Sequence, residues 1–316
     1  MALRSPVTIS LIVPIYRVEK YIGEFAESVL GQPYPHIEFI FVNDDTDDSS
    51  IDVLEGLIDA EYSHLKDRIR IVKQSHSGLP AARRTGLSYA TGDYVWHVDP
   101  DDWVEKDAVA RIAEVAERTA ADLIYFNFMQ EYSCGSKLKC EKRYDISCKD
   151  EYVFNMFNQK AYACVWNKCI KRSVYDSHDV FFPKHSYAED TYLMTQLVSY
   201  CSSMSYLDMA LYHYRKDNNA SLSHQKRKQR RLEFSLNFID LYERLKDRAC
   251  DDGPLALLKD SIMLRAGWYS MVYGLDLFSS FPFLKSMIRQ AKLVPGMKIG
   301  MLPQIITKLA CCCFKR

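Results

Sequence analysis

Three carboxylates stand within four positions, at Asp99, Asp101 and Asp102, directly after an apolar run that is typical of a buried strand. Strands of a parallel α/β sheet end at the edge where such sheets bind ligands, so the run 94–98 would hold the cluster at a ligand site. Crowded carboxylates repel one another unless a cation lies between them, and a divalent cation that carries a diphosphate would fit. The same residues suit a turn, with Pro100 at its second position and Asp102 capping the next helix. The motif alone leaves the site and the turn equally open.

Polar residues also follow the first two predicted strands. Pro14 and Tyr16 come at the end of the first apolar run, and Asp44 follows the second. Because the carboxyl ends of parallel strands meet at one edge of the sheet, we expect these residues to lie near Asp99. The Tyr16 ring would suit stacking on a nucleobase, and the Asp44 carboxylate would accept an N–H from a pyrimidine or bind ribose hydroxyl groups. A solvated turn that caps the next helix is the alternative for Asp44.

Two adjacent arginines, Arg83 and Arg84, lie at the start of a predicted helix within the segment SGLPAARRTG. A helix N-terminus carries positive potential, and a guanidinium group binds phosphate through two parallel hydrogen bonds. Both guanidinium groups are therefore candidates for contact with a diphosphate. Helix arginines are more commonly solvated surface charges, and we expect one of the two to be such a charge.

Four strand–helix repeats would position these residues. Apolar, β-branched runs alternate with segments of helical periodicity, the pattern of a mostly parallel sheet with helices on both faces. The predicted strands cover 8–14, 37–42, 69–73 and 94–98, and the predicted helices cover 18–30, 51–60, 79–90 and 105–120. A further strand is predicted at 122–128 and an excursion or edge hairpin at 129–150. The fold class is α/β.

The second half of the chain is mainly helical. Helices are predicted at 151–158, 190–202, 224–248 and 255–278, with two short segments, 204–208 and 211–215, before the third of them. This pattern predicts a mainly helical C-terminal extension. We divide the chain into a domain of residues 1–220 and a helical region of residues 221–316.

Composition limits the function classes. The 316 residues include 41 Lys and Arg and 41 Asp and Glu, so the net charge gives no attraction to nucleic acid. The ten cysteines form no CxxC pair and no zinc-type array with histidine, and the N-terminus shows no secretion signal. We therefore expect free thiols and a cytoplasmic protein.

The tail, residues 281–316, combines lysine and arginine with apolar residues and contains no acidic residue. Basic and apolar residues at helical spacing favour an amphipathic segment that lies on anionic lipid, which would make the protein peripheral on the inner face of the cell membrane. The apolar stretches are too short to span a bilayer. The alternative is a helix docked on the rest of the chain or at a homodimer interface.

The motifs as a set resemble a known family. The sequences SLIVPIY, FVNDDTDDS and SGLPAARRTGLSYATGDYVWHVDPDD are similar, in order and spacing, to those of inverting family-2 glycosyltransferases with the GT-A (Rossmann-like) fold. The later sequences VWNK, AEDT, LYHYR and SLS resemble the acceptor-side half of bacterial capsule, lipopolysaccharide and exopolysaccharide transferases. Some positions depart from the family pattern: Asp45 replaces the usual Gly, Arg17 and Arg84 replace Asn, and Pro100 replaces Ser. Asp45 puts the local turn in question because glycine adopts positive φ freely and aspartate does so at a cost.

The resemblance implies roles for the candidate residues. Residues 1–120 would form the nucleotide-sugar-binding half and 121–220 the acceptor-side half. The donor would be held by Pro14, Tyr16, Asp44, Arg83, Asp99 and Asp101. Asp101 and Asp99 would hold Mn²⁺ or Mg²⁺, which offsets charge on the departing nucleoside diphosphate.

A catalytic base is also implied. Glu189 and Asp190 match the family's Glu-Asp pair at the start of a helix, and we assign Asp190 as the base. Glu189 is the second candidate, or a residue that orients the site. The alternative is that acidic residues simply favour the first turn of any helix.

Contacts with the acceptor or the diphosphate are expected from five further residues: Asp102, Trp166, Lys168, His213 and Arg215. Trp166 also suits core packing, and His213 and Arg215 also suit alternating positions of a strand.

The implied reaction transfers a sugar from a nucleotide-diphosphate sugar, for which UDP is the favoured nucleotide, to a saccharide or lipid-linked acceptor with inversion. A non-catalytic nucleotide-sugar or glycan-binding module on the same fold remains an alternative. A sugar nucleotidyltransferase is another, since it also needs paired aspartates and a metal. The sugar, the acceptor and the linkage stay open.

Overall fold

The computed structural model describes residues 6–218 and the helix 227–245. The chain divides into two compact units, Met1–Ser221 and Leu222–Arg316, and each is described by itself. The predicted helix at 255–278 and the basic tail at 281–316 lie outside the described residues.

The first unit contains one sheet with the strand order β3-β2-β1-β4-β8-β6-β9-β5, and β7 pairs with β6. The strands are β1 Ile9–Ile15, β2 Ile37–Asn43, β3 Ile69–Lys73, β4 Tyr94–His97, β5 Trp103–Val104, β6 Leu123–Tyr132, β7 Gly135–Lys139, β8 Lys168–Lys171 and β9 Met204–Arg215. Strands β1 to β4 pair in parallel, and so do β6 and β9. Strand β8 is antiparallel to both β4 and β6, so it joins the two parallel parts.

The helices are α1 Ile22–Leu30, α2 Ser50–Glu61, α3 Leu79–Tyr89, α4 Ala108–Thr119, α5 Lys149–Phe157, α6 Arg172–Asp176, α7 Glu189–Tyr200 and α8 Arg227–Leu245, with short 3₁₀ helices at Ser63–Arg68 and Ile146–Cys148. Every strand and helix predicted for residues 8–120 is present. The α/β class, with a mostly parallel sheet flanked by helices, is confirmed.

Both faces of the sheet are covered, as the alternation of side chains along a strand requires. Leu11 and Val13 of β1 belong to the core cluster that includes Phe25 of α1. Ile12 points the other way, toward α3, where a Cβ on Gly86 would lie 2.3 Å from Ile12 Cγ2. Helix α3 therefore packs directly on the sheet only because residue 86 has no side chain.

The part of the first unit that follows residue 120 differs from the sequence expectation in detail. The two short segments predicted at 204–208 and 211–215 form one strand, β9, with a register shift between Phe126 and Phe128 of its neighbour β6. The hairpin expected within 129–150 is formed by the end of β6 and β7. Strands β5 and β8 and helix α6 were not predicted because segments of two to five residues carry too little periodicity to recognise.

In the second unit, α8 lies within the predicted helical run 224–248. Four of its apolar residues are buried: Phe234, Phe238, Ile239 and Leu241. The rings of Phe234 and Phe238 lie one turn apart, with centroids separated by 4.5 Å. Within the described part of the chain, no helix has the length and apolar character needed to cross a bilayer.

Candidate active site

The candidate site lies at the carboxyl ends of β2, β1 and β4, which are neighbours in the sheet. The register pairs Ile15 with Asn43, and the N–H of Asp44 donates to the carbonyl oxygen of Ile15 at 3.0 Å. Strand β4 pairs in parallel with β1, so Asp99 follows at the same edge. The structure brings the three polar motifs to one edge of the sheet. This is where we expected them, because each motif directly follows a parallel strand.

Three residues that flank the site have a left-handed backbone conformation although none is glycine. Arg17 after β1 and Asp45 after β2 both have φ of 55°, and Ala188 before α7 has φ of 61°. Such a conformation costs a non-glycine residue about 1–3 kcal/mol, and it persists only where neighbouring contacts hold it. The N–H of Arg17, for example, donates to Thr46 Oγ1 at 2.8 Å. The turn at Asp45 is therefore the one that a glycine would form, built here with an aspartate.

Asp44 is buried, and its carboxylate joins the end of β2 to the loop before α3. Its Oδ1 accepts hydrogen bonds from Gln74 Nε2 at 2.6 Å and from the N–H of Ser77 at 2.9 Å. Its Oδ2 accepts from the N–H of Gly78 at 2.9 Å and lies 2.9 Å from His76 Nδ1. The carboxylate thus organises this loop, and an added ligand would have to replace one of these donors to reach it.

Tyr16 lies beside this loop, with Pro14 buried in the strand before it. The Tyr16 ring stacks on the His76 ring, with centroids 4.2 Å apart and planes inclined by 23°. The Arg17 guanidinium carbon lies 5.1 Å from the Tyr16 ring centre, and Asp47 binds this guanidinium through two hydrogen bonds of 2.7 Å. Tyr16 therefore stands at the edge of the sheet as a stacking platform.

Arg83 connects the two halves of the first unit. This side chain is only 1% exposed, and its Nη2 lies 2.9 Å from Asp99 Oδ1, 3.2 Å from Glu189 Oε1 and 3.7 Å from Asp190 Oδ1. Among the described residues, its Nε and Nη1 have no hydrogen-bond partner. The neighbouring Arg84 is exposed. Of the two arginines, Arg83 is the buried residue of the site and Arg84 is the surface charge.

The three carboxylates around Arg83 have different surroundings. Burial raises the pKa of Asp99 to about 6, although Arg83 acts in the opposite direction. Burial also raises the pKa of Glu189 well above its ordinary value, against the attraction of Arg83. The side chain of Glu189 is 6% exposed, whereas that of Asp190 is 28% exposed. Asp190 is therefore the more exposed carboxylate of the pair, although its Oδ1 is buried.

The last carboxylate of the aspartate loop, residues 99–102, points into the protein. Asp102 Oδ2 accepts from the hydroxyl of Tyr212 at 2.8 Å, and Oδ1 accepts from the N–H of Arg215 at 2.7 Å. Burial raises its pKa well above the ordinary value, and repulsion from Asp101 and Asp99 adds to this. The Asp102 carboxylate binds the loop to β9. This placement does not favour the contact with acceptor or diphosphate expected of it.

Asp101 and Asp99 present the oxygens that a metal ion would need. Asp101 Oδ2 accepts from Asn218 Nδ2 at 2.7 Å, and Asp99 Oδ1 is bound to Arg83. Within residues 6–218, Asp101 Oδ1 and Asp99 Oδ2 take no part in a hydrogen bond. In the described ranges, no three His, Cys, Asp or Glu side chains come together as a metal cage. Mg²⁺ usually binds through one or two carboxylates together with substrate phosphates, so these two residues fit a metal that arrives with a diphosphate.

Arg215 lies beneath the aspartate loop. Its Nε donates to the carbonyl oxygen of Asp101 at 2.9 Å, and its Nη2 lies 2.6 Å from Glu24 Oε2. The guanidinium carbon is 4.7 Å from the Trp103 ring centre and 5.1 Å from that of Tyr21. The structure therefore brings Arg215 to the loop that carries the candidate metal ligand, as a support of its backbone.

His213 is bound elsewhere. Its Nδ1 lies 2.7 Å from Glu131 Oε1, its Nε2 lies 2.9 Å from Glu105 Oε1, and its ring stacks on Trp103 at 5.0 Å. Both ring nitrogens already face carboxylates. These contacts do not support the role expected of His213 with an acceptor or a diphosphate.

Trp166 and Lys168 lie in the interior. The Trp166 ring stacks on Tyr212 at 4.5 Å, which is the core packing named as its alternative role. Lys168 Nζ lies 3.3 Å from Glu141 Oε1 and donates to the carbonyl oxygen of Tyr162 at 2.8 Å. A buried ammonium with these partners stabilises the loop before β8. The expected contacts of Trp166 and Lys168 with an acceptor are not supported by their placement.

Several residues of the site were not identified from the sequence. Gln74 and His76 bind Asp44, and Asn218 binds Asp101. The polar segment between β3 and α3 carried a usable signal, because β3 is the neighbour of β2 and its end must reach the same edge. Asn218 carried no such signal, since it follows β9, far from Asp101 in sequence.

Comparison with known sequences identifies the family. Residues 10–179 match the model of glycosyl transferase family 2. The putative glycosyltransferase EpsH of Bacillus subtilis (strain 168) is 31% identical over 213 residues, which cover 66% of this chain and 60% of EpsH. The chain thus spans about three fifths of that relative's length.

Solved structures agree with the fold. Residues 1–349 of S. aureus TarS, in complex with UDP-GlcNAc, superpose with a TM-score of 0.62 at 18% identity, covering 95% of this chain and 79% of that one. The mannosyltransferase PcManGT from Pyrobaculum calidifontis, in complex with GDP-Man and Mn²⁺, gives a TM-score of 0.56 at 14% identity, covering 98% of this chain and 82% of that one. The expected GT-A fold is confirmed. The chain belongs to glycosyl transferase family 2.

Proposed function

We propose that this chain transfers a sugar from a UDP-sugar to a hydroxyl group of a saccharide or lipid-linked acceptor, with inversion at the anomeric carbon. The observation that carries the proposal is the junction at Arg83. One guanidinium lies within 3.2 Å of Asp99 from the nucleotide-sugar half and of Glu189 from the acceptor-side half, with Asp190 at 3.7 Å. This junction supports the proposal because Asp190, the candidate base, and Asp99, a proposed donor-binding residue, lie around the same guanidinium.

Asp190 is the proposed base because it is the more exposed carboxylate of the pair. As the acceptor oxygen forms its bond to the anomeric carbon, the bond from that carbon to the diphosphate oxygen breaks. The acceptor's proton passes to Asp190, and the bonding electrons leave with the nucleoside diphosphate. Attack from the face opposite to the leaving group inverts the centre. Glu189 and Arg83 orient Asp190, since Glu189 is buried and bound to the guanidinium.

A divalent ion is proposed as a cofactor, which Asp101 and Asp99 would hold together with the donor's diphosphate. When bound, Mn²⁺ or Mg²⁺ would neutralise charge that develops on the departing diphosphate. The PcManGT complex with GDP-Man and Mn²⁺ supports metal use, and the TarS complex with UDP-GlcNAc supports UDP as the nucleotide. Peripheral membrane contact through residues 281–316 and a homodimer remain predictions.

The test is a nucleotide-release assay on the full chain with a panel of UDP-sugars, each with and without Mn²⁺. Release of UDP that requires Mn²⁺ and a saccharide acceptor is the expected result. Release of pyrophosphate would instead indicate a nucleotidyltransferase. Binding of a donor without any release would indicate a non-catalytic module.

Four variants test the roles. Asp190→Asn and Asp101→Asn are expected to lower the rate of UDP release at least a hundredfold, within the range for loss of a catalytic base or a metal ligand. Glu189→Gln is expected to retain more activity than Asp190→Asn. Asp59→Asn is the matched control, because Asp59 is exposed on α2, and it should leave the rate unchanged. If Asp190→Asn is active and Glu189→Gln is not, Glu189 is the base.

A further inference from the structure

His76 has contacts unusual for a loop histidine. Its ring stacks on Tyr16 with centroids 4.2 Å apart, and its Nδ1 lies 2.9 Å from Asp44 Oδ2 and 3.2 Å from the Asp44 carbonyl oxygen. For these contacts to be attractive, Nδ1 must carry a proton and donate it. A flat ring therefore lies on the aromatic platform, with a ring N–H directed at a buried carboxylate.

A pyrimidine base such as uracil has the same features: a flat ring that stacks and a ring N–H that a carboxylate accepts. Tyr16 and Asp44 are the residues assigned to the base of the donor. We propose that the His76 side chain occupies the position of the nucleobase in the free protein and that the nucleotide must displace it. This inference rests on the proposed function and makes His76 a determinant of donor affinity.

The surroundings of His76 allow such a displacement. The side chain is 51% exposed, so it can turn into solvent without disturbing the core. Asp44 keeps its bonds from the backbone N–H groups of Ser77 and Gly78, so the loop stays anchored when the ring leaves. The nucleobase would then stack on the Tyr16 ring, and its ring N–H would replace that of His76 at the Asp44 carboxylate.

The expected effect follows from competition for one position. If the ring covers the position for about nine tenths of the time, the fraction competent to bind is about one tenth, and the apparent affinity is about tenfold weaker than the intrinsic one. Removing the ring should therefore tighten nucleotide binding. A residue that contacts the base would give the opposite sign, because its removal weakens binding.

The experiment is calorimetric titration of the full chain with UDP in the presence of Mn²⁺, for the wild type and His76→Ala. The expected result is a Kd about tenfold lower for His76→Ala. His64→Ala is the matched control, since His64 is also an exposed histidine and lies in the 3₁₀ helix Ser63–Arg68, away from the site. Its Kd should equal that of the wild type. An unchanged or higher Kd for His76→Ala overturns the inference.

A second measurement follows the ring itself. The Cε1–H proton signal of His76, assigned by its loss in His76→Ala, should shift when UDP is added to the wild type, because the ring leaves Tyr16. A signal that stays in place while UDP binds overturns the inference. If the wild type binds neither UDP nor GDP in a parallel titration, it is the proposed function that fails.

Discussion

Replacing Arg83 by methionine tests the central contact of the site. The substitution removes the guanidinium and leaves Asp99, Glu189 and Asp190 around an apolar side chain. Removing one partner of a buried ion pair typically costs about 3–5 kcal/mol, because the remaining charge stays buried without compensation. Asp99 and Asp190 are partly exposed to water. We therefore expect the free energy of unfolding to fall by about 3 kcal/mol at pH 8, near the lower end of that range.

The loss should depend on pH with a definite sign. The pKa of Asp99 is already raised from 3.8 to about 6, and Arg83 is the nearby group that holds it down. Without Arg83 the folded variant binds protons more tightly, so its stability rises as pH falls from 8 to 5. For each further unit by which the pKa of Asp99 rises, the variant regains about 1.4 kcal/mol of unfolding free energy at pH values where the carboxyl group is protonated. We therefore expect the loss to shrink to about 1–2 kcal/mol at pH 5.

Urea unfolding at pH 8 and pH 5, followed by tryptophan fluorescence, measures both quantities. Arg84→Met is the matched control, because Arg84 is the neighbouring helix residue but is exposed. A surface change of this kind should stay within about 0.5 kcal/mol at either pH. A loss below 1 kcal/mol for Arg83→Met, or one equal at both pH values, would show that the three carboxylates do not depend on the guanidinium.

The rate of UDP release should be constant above pH 7 and fall about tenfold per pH unit below pH 6, because the Asp99 carboxylate is protonated there. A pKa raised in the folded state makes the fold more stable as pH falls. The circular dichroism spectrum should therefore stay unchanged, which would exclude unfolding as the cause of the lower rate. Gly86→Ala should lower the free energy of unfolding by about 1–3 kcal/mol, because the added Cβ would meet Ile12. Gly56→Ala should raise it by about 0.5–1 kcal/mol, because a Cβ there would have nothing within 4 Å. Equal effects of the two variants in urea unfolding would contradict this packing. Tyr212→Phe should destabilise the protein by about 1–3 kcal/mol by removing a buried hydroxyl that a carboxylate needs, and an unchanged melting temperature would argue against that bond.

The ends of strands and helices were easier to predict from the sequence than the contacts between side chains. Asp99 and Glu189 were placed at a strand end and a helix start because local patterns mark such positions. The contact of Arg83 with Glu189 joins residues 106 positions apart, and no local pattern encodes that distance. Lys168 shows the opposite problem. Its charge indicates a surface position, but the buried Glu141 and backbone carbonyl groups such as that of Tyr162 explain its place in the core. Long-range pairing of polar groups is a property of the folded chain and leaves little trace in a single sequence.

The aspartate loop takes its shape from strand β9 as much as from the strand that precedes it. Tyr212 donates to Asp102 and accepts from the backbone of the loop, while Arg215 binds both the carboxylate of Asp102 and the carbonyl of Asp101. Both residues belong to β9, which follows more than a hundred residues later. A fragment of residues 1–120 would keep the carboxylates of the aspartate loop and lose the groups that hold them. The candidate site is therefore a property of one folded unit, in which residues 121–218 complete what residues 6–120 begin.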